Sequence, residues 1–189
     1  MISNSGLKHI GTVEIETIRL RLRRFKIDDV NDMFLNWASD PEVCKFLSWG
    51  PYKDPYPCYK RISYWVNSYA FKNTYVWAIE LKSINTVIGS ISVEITDDSN
   101  KSCEVGYCIG KAFWNRGIMT EALRAVMHFL FYEVGYEEIV AKHDILNTAS
   151  GKVMQKAGMQ FVRIESQAGK RRDGSLYDCA VYVKHINDD

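Results

Sequence analysis

The sequence predicts an α+β fold, with about seven strands in a central mixed sheet and about four helices. Three observations carry this. Ile18-Arg19-Leu20-Arg21-Leu22-Arg23 alternates apolar and basic residues, the pattern of a half-buried strand. Residues 117–132 instead bring Ile118, Ala122, Val126, Phe129 and Leu130 round at helical spacing. Around these the period switches in the order strand, two helices, three strands, helix, strand, helix, two strands.

Size and composition narrow the class. A chain of 189 residues suits one domain over 1–189, with 1–16 as a lead-in segment. It buries roughly 70% of its unfolded surface and needs no staple. The 24 Lys+Arg against 23 Asp+Glu leave a net charge of +1. That speaks against a dedicated nucleic-acid binder, which neutralises phosphates with a basic excess. Aromatic content is 13%, including five Trp and eleven Tyr, more flat apolar surface than such a core requires. Part of it is expected to line a pocket. The cysteines at 44, 58, 103, 108 and 179 form no CxxC pair. Cys103 and Cys108 fall on opposite strand faces, which spoils them as joint metal ligands. Free thiols in a reducing cytoplasm, with no metal, are expected. The N-terminus lacks an apolar signal region, and no apolar run approaches ~18 residues, so no membrane association is expected.

Each element has its own signal. Asp28 and Asp29 follow the first strand and open a helix to about Trp37, which Asp40-Pro41 breaks. A second helix over about 57–71 places Ile62, Trp65, Val66 and Tyr69 on one stripe. Strands over 75–81, 86–95 and 102–109 are separated by turns at 84–86 and 97–100. After the long helix come a strand over 138–141 and a helix over 148–157, stopped by Gly158. Strands over 160–166 and 177–184 close the chain around the basic turn 169–174.

The chemistry concentrates at one joint. Residues 103–109 run through a short loop into Trp114-Asn115-Arg116-Gly117-Ile118-Met119-Thr120-Glu121-Ala122 and the long helix. A helix N-terminus exposes unpaired N–H groups and positive partial charge, so a phosphate can dock there. Gly117 lets the backbone come close, Asn115 tolerates a left-handed conformation, and Arg116 adds charge. Many strand–loop–helix joints contain one Gly, so the joint could equally be structural.

A second stretch, Asn147-Thr148-Ala149-Ser150-Gly151-Lys152-Val153-Met154-Gln155-Lys156-Ala157-Gly158, completes a series of motifs. The others are Thr17 to Arg23, Asp40-Pro41-Glu42-Val43, Trp49-Gly50-Pro51, Ile88-Gly89-Ser90-Ile91, Glu104 to Tyr107 and Trp114 to Ala122. In this order, over 17–184, they resemble the GNAT superfamily of acetyl-CoA-dependent N-acetyltransferases. Within it, the chain is most similar to the ribosomal-protein N-terminal acetyltransferase (RimJ/RimL-like) branch. The resemblance implies a mostly antiparallel sheet splayed between its fourth and fifth strands, with acetyl-CoA as cosubstrate in the splay. Pantetheine would pair with backbone at Tyr107, Cys108 and Ile109. The pyrophosphate would sit on Trp114, Asn115, Arg116, Gly117, Ile118 and Met119. Asn147 would offer its side chain to pantetheine, or serve as a helix N-cap, or both. Trp114, Met119 and Asn115 depart from the superfamily pattern, and Met119 could tighten the pyrophosphate site. Met154 stands where many members have a proton-donating Tyr.

The same resemblance makes Glu104 the candidate base, directly or through water, and Ser150 the candidate proton donor to the leaving thiolate. Either could instead be structural, Glu104 in a salt bridge and Ser150 bonded to backbone. A Cys108–His143 acyl relay is a remote alternative. Lys170-Arg171-Arg172 reads as a solvated hairpin tip, or as a site for an acidic group. Arg19, Arg21 and Arg23 are expected to pair with acidic neighbours. Trp49 and Tyr52, with Tyr56 and Tyr59, could form the acceptor slot or simply cover the sheet. The expected acceptor is a protein N-terminal α-amine, ribosomal or other. The alternatives are a small amine (polyamine, amino-acid derivative or amino sugar), or a CoA-binding module without catalysis. A sheet edge or the terminal hairpin could support a homodimer.

Overall fold

The computed structural model describes residues 6–188. Its eight strands form one sheet, and five α-helices cover its two faces. The strands are β1 (Ile15–Glu16), β2 (Leu20–Arg23), β3 (Val76–Leu81), β4 (Thr86–Asp97), β5 (Ser102–Ile109), β6 (Glu138–Asp144), β7 (Gln160–Lys170) and β8 (Leu176–His185). Their order is β1-β2-β3-β4-β5-β6-β8-β7. Neighbours run antiparallel except β5 and β6, whose parallel pairing stops after Ser102↔Glu138, Cys103↔Ile139 and Glu104↔Val140. This is the expected splay, between the fourth and fifth strands once the short β1 is set aside. β1 was expected to be lead-in: Ile15 and Glu16 pair with Leu22 and Arg21 and cap that edge of the sheet. The expected segments at residues 1–5 lie outside the described residues.

Helices α1 (Val30–Met33), α2 (Pro41–Cys44) and α3 (Tyr56–Ser68) precede the central strands. α4 (Ile118–Phe129) carries the chain from β5 to β6, and α5 (Thr148–Lys156) follows β6. Leu123, Val126 and Leu130 press on Trp77, Ile79, Ile91 and Val105 on one face. On the other face Met33, Trp37 and Ile62 cover Val76, Ala78 and Val87. Part of the aromatic complement packs the core rather than a pocket, since Trp37, Trp77, Tyr75 and Tyr136 are fully buried.

Two helical expectations change. The helix expected over 28–37 is a 3-10 turn (Ile27–Asp29), the short α1 and a π turn (Phe34–Ala38). The Phe34 carbonyl accepts from both the Ser39 amide (3.1 Å) and its hydroxyl (2.8 Å), which draws the last turn wide. Asp40-Pro41 ends that run but also starts α2: Asp40 accepts the Glu42 amide at 2.8 Å, and Pro41 sits where a helix needs no donor.

The arginines of the first strand are paired as expected. Arg23 binds the buried Asp29 at 2.8 Å and Glu80 at 2.6 Å, and Arg21 reaches Glu80 at 2.7 Å. Arg19 pairs with Glu121 at 2.7 Å.

Candidate active site

Beyond Glu104 the β5 backbone has no strand partner on its β6 side, among the described residues. Residues 105–109 keep only β4, through registers such as Ile91↔Tyr107 and Ser90↔Cys108. A free edge of this kind can take an extended ligand as an added strand. Gly89 is required beside it: a Cβ there would stand 2.4 Å from the Cys108 carbonyl oxygen.

Strand alternation sorts the candidates onto two faces of this wedge. Tyr107 faces α4 and α5, and its hydroxyl donates to the Ser150 carbonyl at 3.1 Å across the opening. Burial pushes the Tyr107 phenol well above its ordinary value. Ser150 sits in the first turn of α5, where Asn147 caps the helix, accepting the Ser150 amide at 3.4 Å. The Asn147 side-chain amide donates to Ser150 Oγ at 3.1 Å, and the Ser150 hydroxyl also meets the Tyr107 phenol. Met154 is buried in the core.

Glu104 and Cys108 face the other way, toward α1–α3. Cys108 packs beside Trp49 and Tyr52, which stack with ring centroids 5.6 Å apart. Glu104 meets Lys142 at 3.3 Å, and Lys142 also binds Glu165 at 3.1 Å. Burial draws the Lys142 pKa down, but its hydrogen bonds to Glu165 and Glu104 outweigh that and hold the ammonium charged. Glu104 and Ser150 therefore do not touch; the sheet lies between them. His143 faces α5, stacks on Tyr182 and bonds the Asp144 carbonyl at 2.7 Å. Cys108 and His143 stand on opposite faces, so the acyl-relay alternative falls.

At the foot of the wedge the chain turns into α4 through two left-handed residues, Asn115 (φ 59°) and Gly117 (φ 70°). The Trp114 indole donates to the Ile109 carbonyl at 2.9 Å. Asn115, Arg116 and Gly117 are exposed, whereas Ile118 and Met119 turn their side chains into the core. Met119 therefore offers only its amide, and its side chain does not tighten the turn as expected. Arg116 stands over the Phe113 ring at 5.9 Å.

Sequence reasoning missed two groups. Arg19 donates to the Arg116 carbonyl at 2.8 Å while it binds Glu121, which also takes the Thr17 hydroxyl at 2.6 Å. The signal was present in the spacing Thr17-x-Arg19 and in Glu121, but nothing local joins residues so far apart. The second group anchors one side of the hairpin tip, whose residues 172–176 are exposed as expected. Arg171 pairs with the buried Asp144 and lies 4.8 Å above the Tyr177 ring, and Arg172 donates to the Gly50 carbonyl. A carboxylate removed from water demands a charged partner, and Arg171 at the base of the tip meets that demand.

Two surface hollows, one against Ile10, Val13 and Phe129 and one under Ile186, contain none of these residues. The site is an open wedge rather than an enclosed cavity. Among the described residues, no group of three His, Cys, Asp or Glu could hold a metal ion. No helix there is long and apolar enough to cross a membrane.

The fold, with its free strand edge leading to a helix N-terminus, is that of a class of acyl-group transferases. Residues 19–160 match the acetyltransferase (GNAT) domain family. The chain belongs to that family and is an N-acetyltransferase that uses acetyl-CoA. It is 28% identical over 145 residues to the uncharacterized N-acetyltransferase p20 of Bacillus licheniformis, covering 76% of this chain and 80% of that one. Its fold is shared with the ribosomal-protein-S5-alanine acetyltransferase of Vibrio fischeri, with TM-score 0.77, 20% identity and coverage of 93% and 98%. It is shared too with RimL, a ribosomal L7/L12 α-N-protein acetyltransferase, with TM-score 0.81, 20% identity and coverage of 94% and 100%.

Proposed function

We propose that the protein acetylates a protein N-terminal α-amine in the cytoplasm, of the kind a ribosomal protein presents. The observation that carries the cofactor side of this reading is the unpaired β5 edge leading into the left-handed turn at 115–117. Backbone of Tyr107, Cys108 and Ile109 would hold pantetheine, with Asn147 beside it. Amides of the 114–119 turn and the Arg116 guanidinium would hold the pyrophosphate. The names of the ribosomal-protein acetyltransferases that share the fold support a protein acceptor.

The chemistry is suited to an α-amine. Its pKa of ~7.7–8 leaves a useful neutral fraction near pH 7, whereas a lysine amine at ~10.4 does not. Glu104, on the face lined by Trp49 and Tyr52, accepts the amine proton directly or through water. An amide near Ile109 donates to the thioester carbonyl. Ser150, on the opposite face, relays a proton from water to the leaving thiolate, regaining its own as it gives one up. Acid and base thus attend the two sides of one opening.

The test mixes the protein with acetyl-CoA and a panel of N-terminal peptides, polyamines and aminoglycosides, and follows thiol release. Turnover on peptides alone is expected; turnover on a small amine alone would replace the acceptor assignment. Glu104→Gln and Ser150→Ala should each lower kcat by about 10²-fold or more with CoA affinity within twofold of the unmodified protein. Full rates in both would overturn the catalytic assignment.

A further inference from the structure

We infer that Arg19, in the bend that leads into β2, is a positioning residue that aims the amides of the 115–118 turn at the coenzyme pyrophosphate. This rests on reading that turn as the pyrophosphate seat. The argument begins with the peptide plane. In a trans peptide the carbonyl and the following N–H point opposite ways. Arg19 Nη1 holds the Arg116 carbonyl at 2.8 Å, so the Gly117 amide is turned away from Arg19. The Glu121 amide holds the Gly117 carbonyl at 3.1 Å, which turns the Ile118 amide outward from the helix start. Two consecutive donors are thereby each held in orientation.

The guanidinium is itself held. Arg19 Nε meets Glu121 Oε2 at 2.7 Å, and Glu121 Oε1 accepts from the Arg19 amide at 3.0 Å and from the Thr17 hydroxyl at 2.6 Å. One carboxylate thus ties β2's leading residues to the first turn of α4. The turn needs such support: it places Asn115 and Gly117 at positive φ and is exposed on its outer side. Arg19 Nη2 would lie 3.7 Å from a Cβ built on Gly117, so the guanidinium borders the turn without entering the seat. Its charge is largely cancelled by Glu121, so it acts through geometry and not as a second phosphate ligand.

Calorimetric titrations with CoA and with pantetheine, which lacks the pyrophosphate, test the role. Arg19→Ala and Arg19→Lys should each weaken CoA roughly tenfold and leave pantetheine within twofold. Lysine keeps the charge but cannot fork between Glu121 and the Arg116 carbonyl. Retained pantetheine binding reports an intact fold. Gly117→Val, which strains the turn directly, serves as comparator. If it weakens CoA selectively while both Arg19 variants bind CoA normally, the positioning role is overturned and the seat stands. If Arg19 variants lose both probes in parallel, the role is merely structural and the inference fails. If Gly117→Val spares CoA, the seat itself is wrong and the role of Arg19 goes with it.

Discussion

Glu121 shows how one side chain can serve folding and function together. Burial raises its pKa, but the hydrogen bonds from Thr17 and Arg19 prevail, and its carboxyl sits below the ordinary 4.5. A carboxyl depressed in the folded state stabilises above its unfolded pKa and loses that contribution as pH falls through the folded value. The stability gap between the unmodified protein and Glu121→Gln should therefore be steady from pH 8 to pH 5, at about 1–2 kcal/mol, and shrink below 4.5. Urea melts of the pair across that range check it. A gap that instead closed above pH 5 would mean that the carboxyl is not held charged by Arg19. The Arg19–Glu121 link was not legible in the sequence, because it joins a strand to a helix about a hundred positions later. The left-handed turn was legible, since Asn115 and Gly117 advertise their conformation locally.

Among elements, those with long uninterrupted periods were read well. β5 occupies 102–109, as its alternation predicts, and α4 follows the apolar stripe from Ile118. The misread ones are short or bent. β1 is two residues long, too few to show a period, and the π turn at Phe34–Ala38 keeps the apolar spacing of a helix. The β7–β8 hairpin ends largely in solvent, as its tip Lys170-Arg171-Arg172 reads, but the anchoring of Arg171 was not legible because its anchor, Asp144, belongs to another strand. Removing that anchor's partner should be costly. Arg171→Ala strands a carboxylate with a side-chain exposure of 1%, and is expected to lose about 3 kcal/mol in urea melts. The double variant Asp144→Leu/Arg171→Leu should recover most of it, since no buried charge remains. A single variant as stable as the parent would show that the Arg171–Asp144 pair does not anchor the hairpin.

At the scale of the whole molecule, burial governs the cysteines. All five are free thiols, and four are buried. Burial pushes Cys44 and Cys58 up to about 11 and raises Cys103, Cys108 and Cys179 as well. Thiolate is the reactive form, so native protein at pH 8 should resist iodoacetamide while denatured protein takes up five adducts by intact mass. Rapid labelling of native Cys108 would show that the wedge activates it.

The three-pair contact between β5 and β6 has a further consequence for assembly. It is a seam between two separately laced ladders, β1 to β5 and β6-β8-β7, each closed by antiparallel neighbours. Neither ladder contains a whole site: one supplies the free edge and the phosphate turn's approach, the other Lys142 and the Asn147–Ser150 corner. α4 is the covalent bridge between them, and its first turn carries the amides proposed to hold the pyrophosphate. Closing the seam means closing the loop from Glu104 to Val140, a chain-entropy cost that rises only slowly with length. Catalytic competence is thus a property of the docked pair, and a fragment ending before β6 would fold toward a sheet without a reaction centre.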